Sequence, residues 1–258
     1  MRVGVLGAAG RMGRAVCQAV AEDPELDLVA AVDPSAGADD VVVAGQHVGA
    51  DRAAIVTAGA QVVVDFTVRD AAVDNLRWAA SAGLHAVVGT TGFSAADMAE
   101  IAAWYSPVAG VNCVLAANFA IGAVLMMRFA ELAAPWFETA EIIELHHDEK
   151  ADAPSGTAWA TATRMAAASD AWAPDPTQTT VVEGARGGLG PAGIHIHSVR
   201  LRGLVAHQEV LLGTSGQTLT LRHDSYDRVS FMPGVLLAVK AVSGRPGLTV
   251  GLDEMLGI

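Results

Sequence analysis

The sequence predicts an α/β fold: a parallel-sheet domain into which an α+β domain with an antiparallel or mixed sheet is inserted. Short apolar segments alternate with helical segments over the first half of the chain, a pattern typical of parallel βα units. From residue 194 to residue 223, apolar and polar residues alternate, which is typical of antiparallel strands. We therefore expect one domain from residues 1–117 and 228–258, and a second from residues 118–227.

Composition and charge exclude several classes of protein. The 258 residues are 52% hydrophobic, but polar residues interrupt the longest apolar stretch, 111–127, which therefore predicts no membrane span. Arg11 and Arg14 interrupt the apolar N-terminus, so we expect no signal peptide. The formal net charge of −12 argues against nucleic acid and anionic membranes as partners. An anionic small substrate stays open, because local basic groups can outweigh the global charge.

The two cysteines, Cys17 and Cys113, make no disulfide framework, which is consistent with a reducing cytoplasm. Cys113 follows Asn112, and such a thiol can be a catalytic nucleophile. It lies within an apolar strand pattern without a nearby histidine in sequence, and Cys17 lies within a predicted helix. We expect both thiols to be buried and unreactive.

The N-terminal segment has the pattern of a Rossmann-like dinucleotide-binding unit. A strand pattern at 2–6 leads into Gly7-Ala-Ala-Gly-Arg-Met-Gly13, a helical run at 14–21 and a strand at 26–32 that ends at Asp33. The glycines let the backbone approach a pyrophosphate at the helix N-terminus. Their spacing is GxxGxxG, in which an alanine replaces one glycine of the more usual pattern.

Asp33 bears on the choice of cofactor. It lies 20 residues after Gly13, where it would accept a hydrogen bond from a ribose 2′-hydroxyl. A carboxylate there favours NADH and repels the 2′-phosphate of NADPH, and Pro34 adds no positive charge to pair with that phosphate. Arg11 and Arg14 would compensate in part. The sequence therefore favours NADH and leaves NADPH usable.

Two further turns are predicted at the carboxyl ends of the parallel strands, the edge of the sheet where a cofactor would bind. Strands are expected at 61–66, 85–88 and 111–115, and helices at 71–82, 95–104 and 121–133. Because open α/β sheets bind ligands at the carboxyl ends of their strands, Gly89, Thr90 and Thr91 would meet the nicotinamide ribose. A plain connecting turn is the alternative. Asn118, in Ala116-Ala-Asn-Phe119, would orient the nicotinamide carboxamide.

The stretch Glu144-Leu-His-His-Asp-Glu-Lys-Ala-Asp-Ala-Pro-Ser-Gly-Thr-Ala158 joins a predicted strand to an alanine-rich helix. His146 or His147 would be a proton donor that titrates near neutral pH, beside the fixed cation of Lys150. The amides of Ser155-Gly156-Thr157 would face outward at the helix N-terminus and bind an anion. These groups suit a small carboxylate substrate that takes up a proton.

Other interpretations of this stretch stay open. Adjacent histidines with nearby acids are also typical of a solvated loop or of a metal site. A metal site would need a third ligand at a recognisable spacing, and the stretch contains no HExxH helix or CxxC pair. We therefore expect no metal, and a solvated loop is the remaining alternative to a catalytic one.

The second predicted domain is rich in strands. They are expected at 140–145, 194–201, 206–212 and 217–223, with a hairpin turn at 213–216, a proline-rich connector at 173–176 and a final helix at 233–242. His195 and His197 share one strand face, where they would ligate a metal or, as we favour, form a polar face or subunit contact. The segment 35–59 predicts no clear element.

Several motifs together resemble one enzyme family. They are Gly7-x-x-Gly-x-Met-Gly13, Gly89-Thr-Thr-Gly92, Ala116-Ala-Asn-Phe119 and Glu144-x-His-His-x-x-Lys-x-Asp-Ala-Pro-Ser-Gly-Thr157. Further similarity lies at 197–200, 203–210, 222–225 and 231–234. The chain resembles the 4-hydroxy-tetrahydrodipicolinate reductase (dihydrodipicolinate reductase) family over almost its whole length, with 35–59 as the exception.

The resemblance implies a reaction and an assembly. The family reduces 4-hydroxy-tetrahydrodipicolinate with NADH or NADPH in lysine and meso-diaminopimelate biosynthesis. It works in the bacterial cytoplasm, usually as a homotetramer joined through the sheet of the second domain. Many members carry a basic residue after the acid, where this chain has Pro34, so a preference for NADPH is not expected here.

The resemblance also implies roles for particular residues. His146 would donate the proton, and Lys150 would be a second proton donor. The dicarboxylate substrate would be contacted by His147, Gly156 and Thr157. The cofactor would be held by Gly7, Ala8, Ala9, Gly10, Arg11, Met12, Asp33, Gly89, Thr90, Thr91, Ala116, Ala117, Asn118 and Phe119.

Two other functions are compatible with parts of this pattern. A nucleotide-sensing binding protein would keep the dinucleotide fold without catalysis, but it would not need the His-His-x-x-Lys loop. A different small-molecule dehydrogenase with the same two-domain plan is the nearest enzymatic alternative.

Overall fold

The computed structural model describes residues 1–36 and 41–258, and these divide into two compact units. Unit 1 comprises Met1–Phe119 and Phe231–Ile258, and unit 2 comprises Ala120–Ser230. The predicted domain limits lie a few residues from these boundaries. The functional roles given to the two domains stay predictions.

The regular elements of the described residues follow in chain order. The strands are β1 (Arg2–Leu6), β2 (Asp27–Val32), β3 (Val42–Val43), β4 (Gln46–Gly49), β5 (Val62–Asp65), β6 (His85–Val88), β7 (Cys113–Leu115), β8 (Thr139–His146), β9 (Gly188–Leu189), β10 (His195–Arg200), β11 (Ala206–Thr214), β12 (Gln217–Ser225) and β13 (Leu248–Val250). The α-helices are α1 (Arg11–Glu22), α2 (Ala53–Thr57), α3 (Arg69–Ser81), α4 (Ala95–Trp104), α5 (Ile121–Ala133), α6 (Gly156–Ala168), α7 (Met232–Ala241) and α8 (Asp253–Leu256). Among the residues described, no helix has both the length and the apolar character needed to cross a membrane.

Unit 1 is built on a sheet whose order, in the described part of the chain, is β13-β7-β6-β5-β1-β2-β4-β3. Each neighbouring pair is parallel except β3 with β4. All of β5 and most of β6 are buried, as expected where helices cover both faces of a parallel sheet. The chain moves from β1 to β2 on one side and returns to β5 on the other. This switch places a ligand crevice at the carboxyl end of β1.

The C-terminal segment completes unit 1. Helix α7 packs against α1 and β6, and β13 pairs with β7 at the edge of the sheet. The buried Asn112 ties this segment down: its Nδ2 donates to the Val242 carbonyl oxygen at 2.9 Å, and its Oδ1 accepts from the Gly247 amide at 3.1 Å. A side chain in front of β7 therefore fixes a segment more than one hundred residues later.

Three features of unit 1 differ from the sequence prediction. Helix α1 begins at Arg11 and not at residue 14, because Gly10 caps it with an extended backbone. Within 35–59, the described residues form β3, β4 and α2, and residues 37–40 lie outside the description. The short strand β13 was not predicted, because three residues carry too little alternation to be recognised.

Unit 2 contains a mixed sheet, with the order β12-β11-β8-β10-β9 among the residues described. Strands β8 and β10 are parallel, and the other neighbours are antiparallel. Helices α5 and α6 contribute Met126, Ala130 and Ala162 to a core shared with Ile142 and Val210 of the sheet. The predicted hairpin is present, and Gly216 has the left-handed φ of +82° between β11 and β12.

The predicted fold class is confirmed. The chain is an α/β protein with a parallel-rich Rossmann-like sheet and a second unit with a mixed sheet. The sheet of unit 1 brings the ends of β1, β2, β5 and β6 to one edge. The sheet of unit 2 brings the end of β8, and the loop that follows it, next to β10.

Candidate active site

The glycine turn between β1 and α1 forms a backbone cradle in unit 1. Gly7 has φ +75°, a left-handed conformation that favours glycine. A Cβ on Gly13 would lie 2.0 Å from the Gly7 carbonyl oxygen, so a glycine is required for α1 to pack against the turn. The Gly10 amide donates to the same carbonyl oxygen at 3.0 Å. The first turn of α1, whose amides lack partners within the helix, thus stands at the end of β1.

The remaining residues predicted for this turn have different environments. Ala8 is buried, and its amide donates to the end of β2; Ala9 is half-buried. Arg11 is exposed and Met12 is half-buried, and both belong to the first turn of α1. Arg14 Nε donates to the Ala9 carbonyl oxygen at 2.9 Å. Arg14 therefore supports the turn itself.

Asp33 lies at the end of β2, beside the glycine turn. Its Oδ2 accepts from the Ala9 amide at 3.1 Å, and its Oδ1 accepts from the Ser35 amide at 2.9 Å and the Ser35 hydroxyl at 2.6 Å. Burial raises the pKa of this carboxyl, but hydrogen bonds from Ser35, Ala9 and Gly10 outweigh burial and hold the pKa below its ordinary value. Asp33 is therefore ionised at neutral pH.

Asp65 is a buried carboxylate at the end of β5 that sequence analysis did not single out. Its Oδ1 accepts from the Thr67 amide at 2.8 Å and hydroxyl at 2.7 Å, and its Oδ2 accepts from Asn75 Nδ2 at 2.8 Å. The Thr90 hydroxyl lies 3.0 Å from the Thr67 carbonyl oxygen and 3.4 Å from Asp65 Oδ1. Asp65 therefore holds the loop after β5 next to the predicted residue Thr90.

The segments that follow β5 and β7 contribute an aromatic pair beside the turn after β6. The ring centroids of Phe66 and Phe119 are 5.6 Å apart, and a Cβ on Gly89 would lie 2.0 Å from the Phe66 ring. Gly89 therefore allows Phe66 to lie against the end of β6. Of the other residues predicted for these turns, Thr90 and Ala116 are buried, Asn118 is half-buried, and Thr91 and Ala117 are exposed.

A cavity of about 620 Å³ lies beside the glycine turn. Three predicted cofactor residues line it: Gly7, Gly10 and Asp33. Its wall also includes Arg52, which pairs with Asp74 at 2.6 Å. A cavity of this size is typical of small-molecule sites.

These features fit a dinucleotide. Gly7 and the exposed Gly10 line the cavity, and the N-terminal turn of α1 suits a pyrophosphate. The ionised Asp33 suits the donor hydroxyls of a ribose. Unit 1 therefore has the donors, acceptor and space that NADH or NADPH requires.

His146 of unit 2 contacts a fully buried carboxylate. Glu144 Oε2 accepts from His146 Nδ1 at 2.5 Å and from Arg200 Nη1 at 2.9 Å. Its Oε1 accepts from Arg200 Nη2 at 2.8 Å and from the Ser155 amide at 3.2 Å. Burial raises the pKa of Glu144, but hydrogen bonds from His146, Arg200 and Ser198 outweigh it and lower the pKa to about 2. Glu144 is ionised at neutral pH.

Lys150 is paired with an acid of its own loop. Its Nζ donates to Asp152 Oδ1 at 2.7 Å and Oδ2 at 2.8 Å, and this hydrogen bond lowers the pKa of Asp152. The Lys150 amide donates to the carbonyl oxygen of the half-buried His147 at 3.2 Å. Any anion that binds Lys150 would therefore share or replace the contact with Asp152.

The structure corrects part of the anion-binding site predicted at the start of α6. Ser155 is the N-cap, and its hydroxyl oxygen accepts from the Ala158 amide at 3.2 Å. The Ser155 amide does not face outward: it donates to the buried carboxylate of Glu144, which needs donors in the absence of water. The exposed Gly156 and the half-buried Thr157 begin α6, and their backbone amides stay candidates for binding an anion.

His195 and His197 contact acids of unit 2. His195 Nε2 lies 3.0 Å from Asp175 Oδ2, and His197 Nε2 lies 2.5 Å from Glu141 Oε2. These contacts support the interpretation as a polar face. A search of the described residues finds no group of three or more His, Cys, Asp or Glu side chains arranged to hold a metal ion.

Both cysteines are buried, as predicted. Burial raises the pKa of Cys17 to about 12 and that of Cys113 well above its ordinary value. Their thiols are therefore protonated at neutral pH and have little nucleophilic character.

The parallel sheet, the glycine turn and the cavity beside it place the chain among Rossmann-like dinucleotide-binding proteins. Two family models described as dihydrodipicolinate reductase match the chain, the N-terminal one at residues 1–119 and the C-terminal one at residues 122–256. The 4-hydroxy-tetrahydrodipicolinate reductase of Cutibacterium acnes is 52% identical over 262 residues, covering 100% of this chain and 99% of the relative. That of Nocardia farcinica is 51% identical with the same coverage.

A solved structure agrees with these relatives. The dipicolinate-bound dihydrodipicolinate reductase from Paenisporosarcina sp. TG-14 has a TM-score of 0.84 and 37% identity, with 98% of each chain covered. The chain therefore belongs to the dihydrodipicolinate reductase family, and the resemblance found in the sequence is confirmed.

Several residues of the two sites were missed by sequence reasoning. Glu144 was noted only as part of a motif, although its i, i+2 spacing from His146 on a strand places both on one face. No local signal connects Arg200 to that pair, because its partner is 56 residues away. Asp65 follows the same rule as Asp33, a polar residue at the end of a strand, and that signal was available.

Proposed function

We propose that this chain reduces 4-hydroxy-tetrahydrodipicolinate with NADH or NADPH, a step of lysine and meso-diaminopimelate biosynthesis. The observation that carries the proposal is the contact of His146 with the buried, ionised Glu144, inside the His-His-x-x-Lys loop. A carboxylate–imidazole pair, followed four residues later by a lysine, is suited to donating a proton to an anionic substrate. The relatives named above support the same reaction.

The substrate is a small dicarboxylate in this proposal. The Paenisporosarcina structure is described as dipicolinate-bound, and its chain aligns with this one over 98% of its length. His147, Gly156 and Thr157 would contact the carboxylates, with Lys150 as the nearby cation. The start of α6 adds the positive end of a helix, which favours a carboxylate.

The cofactor would be held by the cradle of unit 1: Gly7 to Met12, Asp33, Gly89 to Thr91 and Ala116 to Phe119. When bound, the reduced nicotinamide supplies the hydride. The ionised Asp33 would accept from ribose hydroxyls and disfavour a 2′-phosphate, so we expect NADH to be preferred over NADPH. No metal takes part in this proposal.

His146 and Lys150 would serve the substrate. The 4-hydroxyl would leave the ring as water, and the resulting conjugated imine would take up the hydride. Negative charge would then develop across the C–C–N unit of the ring, and His146 would supply the proton that completes the reduction. Lys150 and the first amides of α6 would stabilise the carboxylates and the developing charge. Lys150 would be the second proton donor.

A coupled assay tests the reaction. Substrate made freshly from pyruvate and aspartate semialdehyde by the preceding synthase would be added to the protein with NADH or NADPH, and loss of nicotinamide absorbance followed. Oxidation of the cofactor would support the proposed reaction, and a higher kcat/KM for NADH than for NADPH would support the proposed cofactor preference. A folded protein that binds NADH but oxidises neither cofactor would instead be a nucleotide sensor, and activity only on another imine or carbonyl acid would indicate a different dehydrogenase.

Two variants assign the proton donors in the same assay. His146→Ala should lower kcat on the order of 10²-fold, the usual scale for losing a general acid. Lys150→Ala should lower kcat and raise KM, because the cation would serve both binding and the transition state. An unchanged kcat in the first variant, or a change in thermal stability alone in the second, would contradict the assigned role.

The assembly and location are also proposed. We expect a cytoplasmic homotetramer joined through the sheet of unit 2, with no nucleic acid or membrane as partner. Light scattering at micromolar concentration would measure the mass, and a monomer there would contradict the expected assembly.

A further inference from the structure

An ion pair between the fully buried Glu144 and the partly buried Arg200 connects the end of β8 to β10. We propose that Glu144 and Arg200 form a positioning pair: Glu144 keeps the ring proton of His146 on Nδ1, and Arg200 holds the backbone of the Lys150 loop. The inference rests on the proposed function and deepens it, because it says how that function's two proton donors are oriented.

The tautomer of His146 follows from its partner. Glu144 has no exposed side-chain surface, whereas the His146 side chain is 15% exposed. An ionised carboxylate has acceptors only, so the hydrogen between Oε2 and Nδ1 must be carried by His146 Nδ1. In the neutral ring, Nε2 is then free of hydrogen. The nitrogen that holds and releases the reacting proton is therefore Nε2.

Arg200 keeps Glu144 in the acceptor state. Its guanidinium spans both carboxylate oxygens, with Nη1 2.9 Å from Oε2 and Nη2 2.8 Å from Oε1. The parallel pairing of β8 and β10 sets this contact, because Arg200 lies in register with His146. The Ser155 amide adds a third donor at 3.2 Å. Charge and donors together hold the carboxylate ionised despite its burial.

The same guanidinium reaches the backbone of the Lys150 loop. Arg200 Nε donates to the Lys150 carbonyl oxygen at 3.2 Å, and Nη2 also donates to the Asp152 carbonyl oxygen at 2.6 Å. One planar group thus bonds a buried carboxylate and two loop carbonyls. A lysine ammonium lacks the forked geometry for this set.

The charge near His146 comes from a few elements. Strand β10 supplies Arg200, the loop after β8 supplies His147, Lys150 and Asp152, and β11 places the uncharged Ala206 and Gln208 in register with His146 and Glu144. Glu144 is therefore the carboxylate that directly contacts the His146 ring.

The strand offers a matched control. Glu141 lies on the opposite face of β8 and also accepts from one histidine and one arginine, His197 Nε2 and Arg186 Nη2, each at 2.5 Å. Glu141→Gln therefore removes the same chemical pairing from the same strand, away from the His146 loop.

The first test measures the tautomer of His146. Imidazole ¹⁵N NMR of the full-length protein near pH 8 would show which nitrogen of His146 carries hydrogen. We expect His146 to carry its hydrogen on Nδ1 in the wild-type protein. Glu144→Gln should shift the ring toward the tautomer with hydrogen on Nε2, because the glutamine NH₂ group can donate a hydrogen bond to Nδ1 where the carboxylate could only accept one. A wild-type ring protonated on Nε2 would overturn the proposal.

Kinetics supply the second test. Glu144→Gln should lower kcat on the order of 10²-fold, the scale of losing a general acid, with a smaller change in KM. Glu141→Gln should change kcat less than about twofold. A Glu144→Gln enzyme with wild-type kcat, or with lowered kcat and an unchanged His146 tautomer, would contradict positioning through His146.

A double variant separates this inference from the proposed function. If Glu144 acts through His146, Glu144→Gln with His146→Ala should be no slower than His146→Ala alone. Losses that multiply would overturn the inference. Full activity of His146→Ala would refute His146 as the proton donor. The tautomer of His146 measured by NMR would still show whether Glu144 holds the ring hydrogen on Nδ1.

Arg200→Lys tests the other half of the pair. It keeps a positive charge but loses the fork, so we expect KM to rise severalfold and the Lys150–Asp152 amides to exchange hydrogen faster. Unchanged exchange in this loop would overturn the assignment of Arg200 as its anchor.

Discussion

At the residue scale, Gly13 shows how one absent atom group shapes a binding site. A Cβ at this position would lie 2.0 Å from the Gly7 carbonyl oxygen and 2.8 Å from the Ala8 Cα. Both contacts are with backbone, which cannot rotate away as a flexible side chain can. An alanine here would push α1 away from the turn that we propose binds the cofactor.

We predict that Gly13→Ala weakens NADH binding by at least tenfold and lowers the free energy of unfolding by about 1–3 kcal/mol, the usual cost of overpacking. NADH fluorescence titration and urea unfolding measure the two effects. Gly244→Ala is the control, because a Cβ there meets no atom within 4 Å. NADH binding unchanged by Gly13→Ala would contradict the role given to the turn.

Glu144 also predicts a pH dependence of stability. Its pKa is lowered from 4.5 to about 2, so the folded state binds this proton less readily than the unfolded chain does. Its stabilising contribution is therefore complete above the unfolded pKa and is lost as pH falls from about 4.5 toward 2. Urea unfolding of unit 2 should show this loss.

Two variants identify the source of that acid dependence. Glu144→Gln cannot titrate and should flatten the dependence in this window. Asp175, whose pKa is also lowered to about 2 by hydrogen bonds from Thr177, is a more exposed comparison. Asp175→Asn should flatten it less, since exposed interactions are screened by water. An equal slope in Glu144→Gln and wild type would exclude Glu144 as the source.

At the element scale, the helix starts of unit 1 differ in how well they are capped. Helix α4 has a capping box: the Ser94 hydroxyl accepts from the Asp97 amide at 3.2 Å, and Asp97 Oδ2 accepts from the Ser94 amide at 2.7 Å. Helix α3 begins after Val68, which cannot cap by its side chain. Substitution at the two N-caps should therefore change the free energy of unfolding in opposite directions.

We predict that Ser94→Ala lowers the free energy of unfolding by about 1 kcal/mol and that Val68→Ser raises it by a similar or smaller amount. The exposed Val68 has the extended φ and ψ of an N-cap, so serine fits without rearrangement. Urea midpoints would measure both. A stabilising Ser94→Ala would contradict the capping role.

At the scale of the whole molecule, unit 1 is assembled from two distant segments of the chain. Phe231–Ile258 returns to Met1–Phe119, adds β13 to the sheet and packs α7 against α1. Asn112 bonds the carbonyl oxygens of Val242 and Ser243 and the amide of Gly247. This side chain satisfies the backbone of the returning segment where regular structure does not.

We predict that Asn112→Ala lowers the free energy of unfolding of unit 1 by about 2–4 kcal/mol, because buried backbone groups would lose their partners. Hydrogen exchange followed by mass spectrometry should become faster in β7, α7 and β13 and stay unchanged in β10–β12. Ser243→Ala removes an exposed side chain from the same turn and should leave exchange unaltered. Equal acceleration in both units would contradict this local role.

Sequence alone determined the features that depend on local pattern. The glycine turn, Asp33 at the end of a strand, the alternation of β10 to β12 and the His-His-x-x-Lys loop were all visible, because each depends on residue types at fixed short spacings. They sufficed for the fold class and the family. The start of α1 was missed because Gly10 caps it without a side-chain hydrogen bond, and the short strands β9 and β13 were missed because a few residues carry little periodicity.

The tertiary structure decided which distant groups meet. Arg200 reaches Glu144 across 56 residues, Thr90 comes within 3.4 Å of Asp65 across 25, and Asn112 bonds Gly247 across 135. These contacts depend on strand order and register, which local sequence does not specify. The hydrogen bond from the Ser155 amide to the buried Glu144 likewise depends on the tertiary structure. A buried carboxylate must gather donors from any element packed beside it, and only the folded chain determines which elements those are.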